Sequence, residues 1–221
     1  MYDKKYYKKH EDGSFQSAKC IIGYINTFYN FKSAVDFGCG MGTWCNVMES
    51  FNKEDYLGID QHDYSSEYML ISQEKYLKYD LCYPLLLSRK YDIAISVEVA
   101  EHIDSKYAGI FIGNLCRHSD VILFSAALPN QGGTGHINEQ PCSYWKQIFE
   151  RFKYRAIDCI RPVFWNDKTI EVWYRNNSIL YINEQIYNEF IKLIPTQIHP
   201  LDIVHPEMLE RILKKKGLNN G

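Results

Sequence analysis

The sequence predicts an α/β sandwich, a mostly parallel sheet with helices on both faces. Three observations lead there. Short apolar runs alternate with helix-period segments through about residue 160. A glycine-rich turn, Gly38-Cys39-Gly40-Met41-Gly42, joins the first run to a helix, and the next two runs each end in an acid, Asp60 and Asp80. With 221 residues the chain suffices for one well-packed domain and is short for two. It divides into an N-terminal helical or lid segment (1–30), a main domain (31–183) and a C-terminal helical extension of that domain (184–221).

Ser17 to Phe28 reads as a helix with Ile21, Ile22, Ile25 and Phe28 on one face. The segment before it, rich in Tyr2, Tyr6, Tyr7 and Lys4, Lys5, Lys8, Lys9, suits either solvated surface or a lid. Ser33 to Phe37 is short and apolar, as a buried strand is. From Thr43, a candidate N-cap, Trp44, Val47, Met48 and Phe51 fall on one helical face. Tyr56–Asp60 and Lys75–Leu81 read as the second and third strands, and Pro84–Leu87 as the start of a short helix. Tyr91–Val97 is the clearest strand. A helix follows from about Ala100 to Cys116, with Val99, Ile103, Tyr107 and Ile110 toward the core. Glu98, Glu101 and His102, at i, i+3 and i+4, would share its opposite face at the carboxyl end of the strand, where open α/β sheets bind ligands.

Val121–Ala127 is a fifth strand, and a polar loop runs from Leu128 to Gln140; unstructured loops of that length in a compact domain are usually functional. Pro141–Phe152 is helical, with Tyr144, Trp145, Ile148 and Phe149 inward. Arg155–Ile160 is a strand, and Thr169–Trp173 with Ile179–Ile182 suggests a hairpin around Asn176-Asn177. Residues 183–221 read as helical, broken between Pro195 and Pro206.

A net charge of −2 gives no general field for nucleic acid or anionic membrane, although Lys214–Lys216 form a local basic patch suited to solvation or to a phosphate-bearing substrate. The seven cysteines form no C-x-x-C pair and no zinc spacing, as expected of reduced thiols in the cytoplasm. The N-terminus has no apolar signal core, and the longest uncharged run, Val121–Asn138, is interrupted by Pro129, Asn130, Gln131 and three glycines, so no membrane span is expected.

The pattern Asp36-x-Gly38-x-Gly40-x-Gly42 differs from the dinucleotide fingerprint G-x-G-x-x-G, whose third glycine stands one residue later. It resembles the first motif of class I S-adenosylmethionine (SAM)-dependent methyltransferases. With Asp60, Asp80 and Glu98-Val99-Ala100-Glu101-His102-Ile103, the resemblance covers roughly residues 34–105. It implies a Rossmann-like three-layer sandwich whose seven-stranded, mostly parallel sheet has an antiparallel last strand. It also implies SAM as cofactor. Gly38, Gly40, Gly42 and Trp44 would hold its methionine end, and Asp36 its ammonium group, usually through water. Asp60 and Gln61 would bind the ribose, Asp80 and Leu81 the adenine, with Glu98 completing the set. The stretches Gly132–Gln140 and Trp173-Tyr174-Arg175-Asn176-Asn177 resemble small methyltransferases encoded with bacterial capsule or lipopolysaccharide sugar enzymes.

The resemblance implies transfer of a methyl group to an oxygen of a small or carrier-linked acceptor, a sugar hydroxyl or a phosphoryl-bearing intermediate. His136, on the polar loop, is the candidate general base and His102 the second, with Glu101 to orient them. The chain is read as working without a metal. One alternative stays open: Glu98, Glu101, His102 and His136 resemble the metal-binding set of small-RNA 3′-terminal ribose 2′-O-methyltransferases, although Ile103 stands where that family has a second consecutive histidine. A non-catalytic SAM-binding partner subunit is the reading from another class, and an NAD-dependent oxidoreductase is disfavoured by the glycine spacing.

Overall fold

Seven strands form one sheet in the computed structural model, which describes residues 4–53, 55–64, 66–195 and 201–217, with backbone alone for 4–12. The strands are β1 (Ser33–Phe37), β2 (Asp55–Asp60), β3 (Tyr76–Lys78), β4 (Ile93–Val97), β5 (Val121–Ser125), β6 (Tyr154–Ile157) and β7 (Ile179–Asn183). Their order is β3-β2-β1-β4-β5-β7-β6, and β7 alone runs antiparallel to both of its neighbours. The expected sheet, with its reversed last strand, is therefore present.

Helices α1 (Lys4–Phe28), α2 (Thr43–Glu49), α3 (Ala108–His118), α4 (Cys142–Arg151), α5 (Arg161–Phe164), α6 (Val172–Asn177), α7 (Glu184–Phe190) and α8 (Pro206–Lys215) complete the chain. Strand alternation sorts the core into two layers. Ala34, Ile93, Ile95, Leu123 and Leu180 meet Ile21, Ile22 and Ile25 of α1 and Trp44, Val47 and Met48 of α2. Val35, Ala94, Ile122, Phe124 and Tyr181 meet Phe111, Ile112 and Leu115 of α3 and Trp145, Ile148 and Phe149 of α4. Each Val, Leu, Ile, Met and Phe among them contributes roughly 1.5–3 kcal/mol by leaving water. No helix among the described residues is long and apolar enough to cross a membrane.

Several elements depart from the sequence reading. Helix α1 begins well before Ser17, at Lys4; Tyr2 and the side chains of Tyr6, Tyr7 and the early lysines lie outside the described residues. The N-cap of α2 is Gly42, not Thr43, because the chain enters the helix through a left-handed residue (φ 93°) where a Cβ would press to 2.8 Å of Ile71. Pro84–Leu87 is not helical: Asn114 and His118 of α3 accept the N–H groups of Leu85 and Leu87, replacing helical hydrogen bonds. Thr169–Trp173 is not a strand either. Asp167 accepts from the Thr169 N–H and hydroxyl, Ser17 Oγ takes the N–H of Glu171, and α6 begins at once. Within the C-terminal break, residues 196–200 lie outside the described residues.

The helix expected from Ala100 starts only at Ala108. Glu98 is left-handed (φ 55°), Ala100–His102 is one 3₁₀ turn, and Ile103 is extended and buried. Asp104 then caps a second 3₁₀ turn, Ser105–Tyr107, by accepting from the Lys106 N–H. Ile110, expected in the core, is only half-buried. Glu98, Glu101 and His102 consequently do not share a helical face.

Candidate functional site at the carboxyl edge of the sheet

The turn after β1 is closed by its own backbone. Gly38 and Cys39 N–H groups both reach Ile59 O (2.7 and 3.0 Å), and Gly42 N–H reaches Cys39 O (2.9 Å). Gly38 is left-handed (φ 87°), and any Cβ there would run into the Val99 side chain. Gly40 is different: a Cβ would meet only Tyr64 Oη, 4.0 Å away, so its backbone faces open space. The N–H of Gly40 donates to Asp60 Oδ2 (2.9 Å), which ties the glycine turn to the end of β2. Four backbone donors of the turn are thus engaged inside the fold.

A cavity of about 470 Å³ opens here, with Gly38, Gly40, Asp60, Gln61, Leu81 and Glu98 among its walls. Asp60 also accepts from the N–H and Nδ1 of His62 (3.0 and 2.9 Å). A carboxylate has about four acceptor positions, so it retains capacity for a hydroxyl. Asp36, Gly42, Trp44 and Asp80 are not on the cavity wall. Asp36 is buried behind the turn, with the Cys45 thiol donating to it at 3.7 Å. Burial pushes its pKa up to about 7; the Cys45 bond opposes this and the Asp60 charge adds to it. Trp44 is buried edge-on to Tyr174 at 5.4 Å, in the layer of α1 and α2. Asp80 accepts from the Cys82 N–H (2.9 Å), presenting Leu81 to the cavity.

Glu98 forms the floor. Its carboxylate accepts from Ser125 Oγ (2.9 Å), Asn177 Nδ2 (3.1 Å) and Gln131 Nε2 (2.9 Å). The Asn177 amide also donates to Gln131 Oε1 (3.0 Å), closing a ring of three side chains. A left-handed backbone at a non-glycine residue costs of order 1–3 kcal/mol. The Glu98 N–H bonds to Ser125 O (3.0 Å) and Oγ (3.2 Å) hold that conformation in place.

A second cavity of about 620 Å³ lies on the other side of Glu98 and shares His62, Glu98 and His102 with the first. Glu101, His136, Gln131, Gly132, Thr134 and Trp173 are also among its walls. The polar loop is stitched to the 3₁₀ turn, because the Ile137 and Asn138 N–H groups both reach Glu101 O (2.9 and 3.0 Å). That brings His136 beside Glu101, with Nε2 3.8 Å from Oε1, and edge-on to His102 with ring centroids 4.9 Å apart. His136 Nδ1 pairs with Glu139 Oε1 (2.9 Å) and His102 Nδ1 with Gly135 O (3.2 Å), so in the matching tautomers both Nε2 lone pairs are free.

Glu101 is fully buried and neither carboxylate oxygen has a hydrogen-bond partner. Burial, with the Glu98 charge behind it, drives its pKa well above the usual carboxylate range. Burial likewise raises Glu98 and lowers His102. One ligand atom each from Glu101, His102 and His136 lies within 4.8 Å of the others, a spacing a single cation can span. Glu98, the fourth member of the set read from sequence, accepts from three amide and hydroxyl donors and is not part of this converging group.

Ser125, Gln131, Asn177 and Trp173 were not among the predicted site residues. The Trp173–Asn177 stretch carried a signal through its resemblance, but reading it as a hairpin placed it away from the site.

No family model matches the chain and no curated protein matches its sequence. Among solved structures, the methyltransferase domain of bacterial CtHen1 is similar, with 16% identity and a TM-score of 0.57 over 77% of this chain and 98% of that one. The sugar N-methyltransferase KedS8 from Streptoalloteichus is 11% identical, with a TM-score of 0.59 over 80% of this chain and 91% of that one. Magnesium protoporphyrin IX methyltransferase from Synechocystis, solved with SAM bound, is 16% identical with a TM-score of 0.51 over 77% and 80%. The shared property at these identities is the fold: this chain has the Rossmann-like architecture of SAM-dependent methyltransferases.

Proposed function

We propose that the chain is an enzyme that transfers a methyl group from SAM to an oxygen of a small or carrier-linked acceptor, a sugar hydroxyl in capsular or surface polysaccharide biosynthesis. The observation that carries this reading is the pair of cavities meeting at His62, Glu98 and His102. One is bounded by the glycine turn and Asp60, the other by imidazoles and Trp173. SAM fits the first: Gly40 leaves room that a side chain would fill, and Asp60 keeps acceptor capacity for a ribose hydroxyl. Gly38, Gly40, Asp60, Gln61 and Leu81 would hold it, with Asp36 behind the turn as the carboxylate for its ammonium group. When bound, SAM supplies a sulfonium-activated methyl group. The likeness to a sugar N-methyltransferase supports a sugar as the acceptor molecule, and the resemblance of residues 132–140 and 173–177 to capsule-cluster enzymes supports its place in surface polysaccharide synthesis. Seven free thiols support a reducing, cytoplasmic setting.

The chain's own part is alignment, exclusion of water and removal of a proton. Alignment in well-oriented systems contributes ~7–11 kcal/mol, and a general base about 10²–10⁴-fold. His136 Nε2, on the wall of the second cavity, would take the proton of the acceptor hydroxyl. Glu139, paired with Nδ1, stabilises the imidazolium that results.

A second reading is favoured by the unpartnered, buried carboxylate of Glu101. With His102 and His136 it offers one oxygen and two nitrogens to a divalent cation, a donor set suited to Mg²⁺, Mn²⁺ or Zn²⁺. Such an ion would act as a Lewis acid toward an acceptor hydroxyl, with His136 as ligand in place of base. Transfer of labelled methyl from SAM to a panel of sugars, with and without a chelator, tests both. Binding of S-adenosylhomocysteine without turnover of any acceptor would identify a cofactor-binding subunit, and activity indifferent to chelation would eliminate the metal.

A further inference from the structure

The acceptor cavity has a rim that the proposed chemistry leaves unused, built from the last helix of the chain. Arg211 and Lys215 stand four residues apart on α8 and so share one side of it. The Arg211 guanidinium lies 5.6 Å from the centre of the Trp173 ring. Lys215 Nζ donates to the carbonyls of Gln131 (2.6 Å) and Gly132 (3.1 Å). Trp173, Gln131 and Gly132 are all walls of the 620 Å³ cavity. The fold has thus carried the basic C-terminal patch seen in the sequence to the mouth of the acceptor site.

The charge at this rim is incompletely neutralised. Lys215 is held by two neutral carbonyls and, among the described residues, has no carboxylate partner, which leaves one of its three donors spare. Arg211 shares the single carboxylate of Glu207 with Arg175. Past Arg211 the surface dips into a smaller cavity of about 250 Å³ that adds Lys168, Thr169 and the acid Glu171 to Arg175 and Glu207. Charge is therefore sorted along the site. Glu98 and Glu101 lie at the floor, where a cationic donor is expected, and the cations stand at the rim.

The Trp173 indole offers a flat apolar surface for the C–H face of a ring, and the Arg211 guanidinium, 5.6 Å from the ring centre, a planar donor fork matched to phosphate oxygens. We propose that the acceptor is a sugar bearing a phosphoryl or diphosphoryl group. Its ring lies on Trp173, its reacting hydroxyl points toward His136, and its phosphoryl group is held by Arg211 and Lys215. The proposal rests on the reading of this cavity as the acceptor site. A polynucleotide is disfavoured because Glu207 and Glu210 interrupt the cations of α8, so the rim recognises one anionic group and no extended backbone.

Calorimetry on the full chain saturated with S-adenosylhomocysteine tests this with inorganic pyrophosphate and glucose 1-phosphate as probes. Saturable one-to-one pyrophosphate binding is expected. It should weaken at least tenfold in Arg211→Gln and in Lys215→Gln, recover in Lys215→Arg, and weaken with added salt. Trp173→Ala should weaken glucose 1-phosphate and leave pyrophosphate unchanged. Absence of saturable pyrophosphate binding, or binding indifferent to Arg211→Gln, overturns the proposal. So does a short single-stranded RNA that binds through Arg211 more tightly than pyrophosphate. The heat of S-adenosylhomocysteine in the same cell separates the two levels: with it present, a failed anion titration removes only the phosphorylated acceptor, and without it the donor reading falls too.

Discussion

Asp36 allows the donor reading to be tested by pH alone. Its carboxyl is buried, with a single thiol donor, and its pKa stands at about 7 against an ordinary 3.8. An ammonium group is attracted only by the ionised form. Between pH 6 and pH 7.5 the ionised share of a group with that pKa rises from about a tenth to about three quarters, so affinity for SAM should rise roughly eightfold. Asp36→Asn should remove this slope and bind at every pH about as weakly as the wild type does at the acid end. The same shift acts on stability with the opposite sense. The folded state holds the proton more tightly than the unfolded chain, so Asp36 costs stability as pH rises from about 4 to 7 and no further above that. Titration calorimetry at fixed ionic strength measures the affinity, and thermal melts of both proteins measure the stability. A flat wild-type affinity across this window, or an Asp36→Asn protein with the same slope, would refute the assignment.

Asp60→Asn replaces a carboxylate that accepts from Gly40 and His62 with a group of half its acceptor capacity; loss of a charge-assisted bond of ~1.5–3 kcal/mol should weaken S-adenosylhomocysteine binding at least about tenfold, read by calorimetry, with the circular dichroism spectrum unchanged. His136→Ala should leave SAM affinity intact and cut turnover at least about tenfold in a labelled-methyl assay; unchanged turnover removes His136 as base and as metal ligand alike. If Glu101 takes a divalent cation, binding must displace the proton its burial favours, so metal affinity should rise with pH, proton release should appear in calorimetry run in two buffers, and Glu101→Gln should abolish both. Gly38→Ala forces a side chain into Val99 at φ 87°, and melts should show a loss of order 1–3 kcal/mol or more.

What the sequence determines by itself is the layered sheet and the place of the glycine turn and Asp60 at its carboxyl edge. Alternating apolar runs separated by glycine and acid signals specify strand–helix alternation locally, and Gly38, Gly40 and Asp60 follow each other at intervals set by the chain's own turn geometry. Tertiary structure decided the second cavity. Glu98, Glu101 and His102 have helical spacing, but the left-handed Glu98, the inserted Ile103 and the Asp104 cap break the helix and turn Glu101 inward to the Glu101–His136 pair. Trp173 and Asn177 look like a hairpin until Ser17, from the far end of the chain, captures the Glu171 N–H and α6 forms. Lys215 reaches Gln131 only because α8 folds back across the sheet edge. In the last two cases the deciding hydrogen bond joins residues far apart in sequence. No local periodicity encodes such a partner, and the buried groups it satisfies exist only once the core has closed.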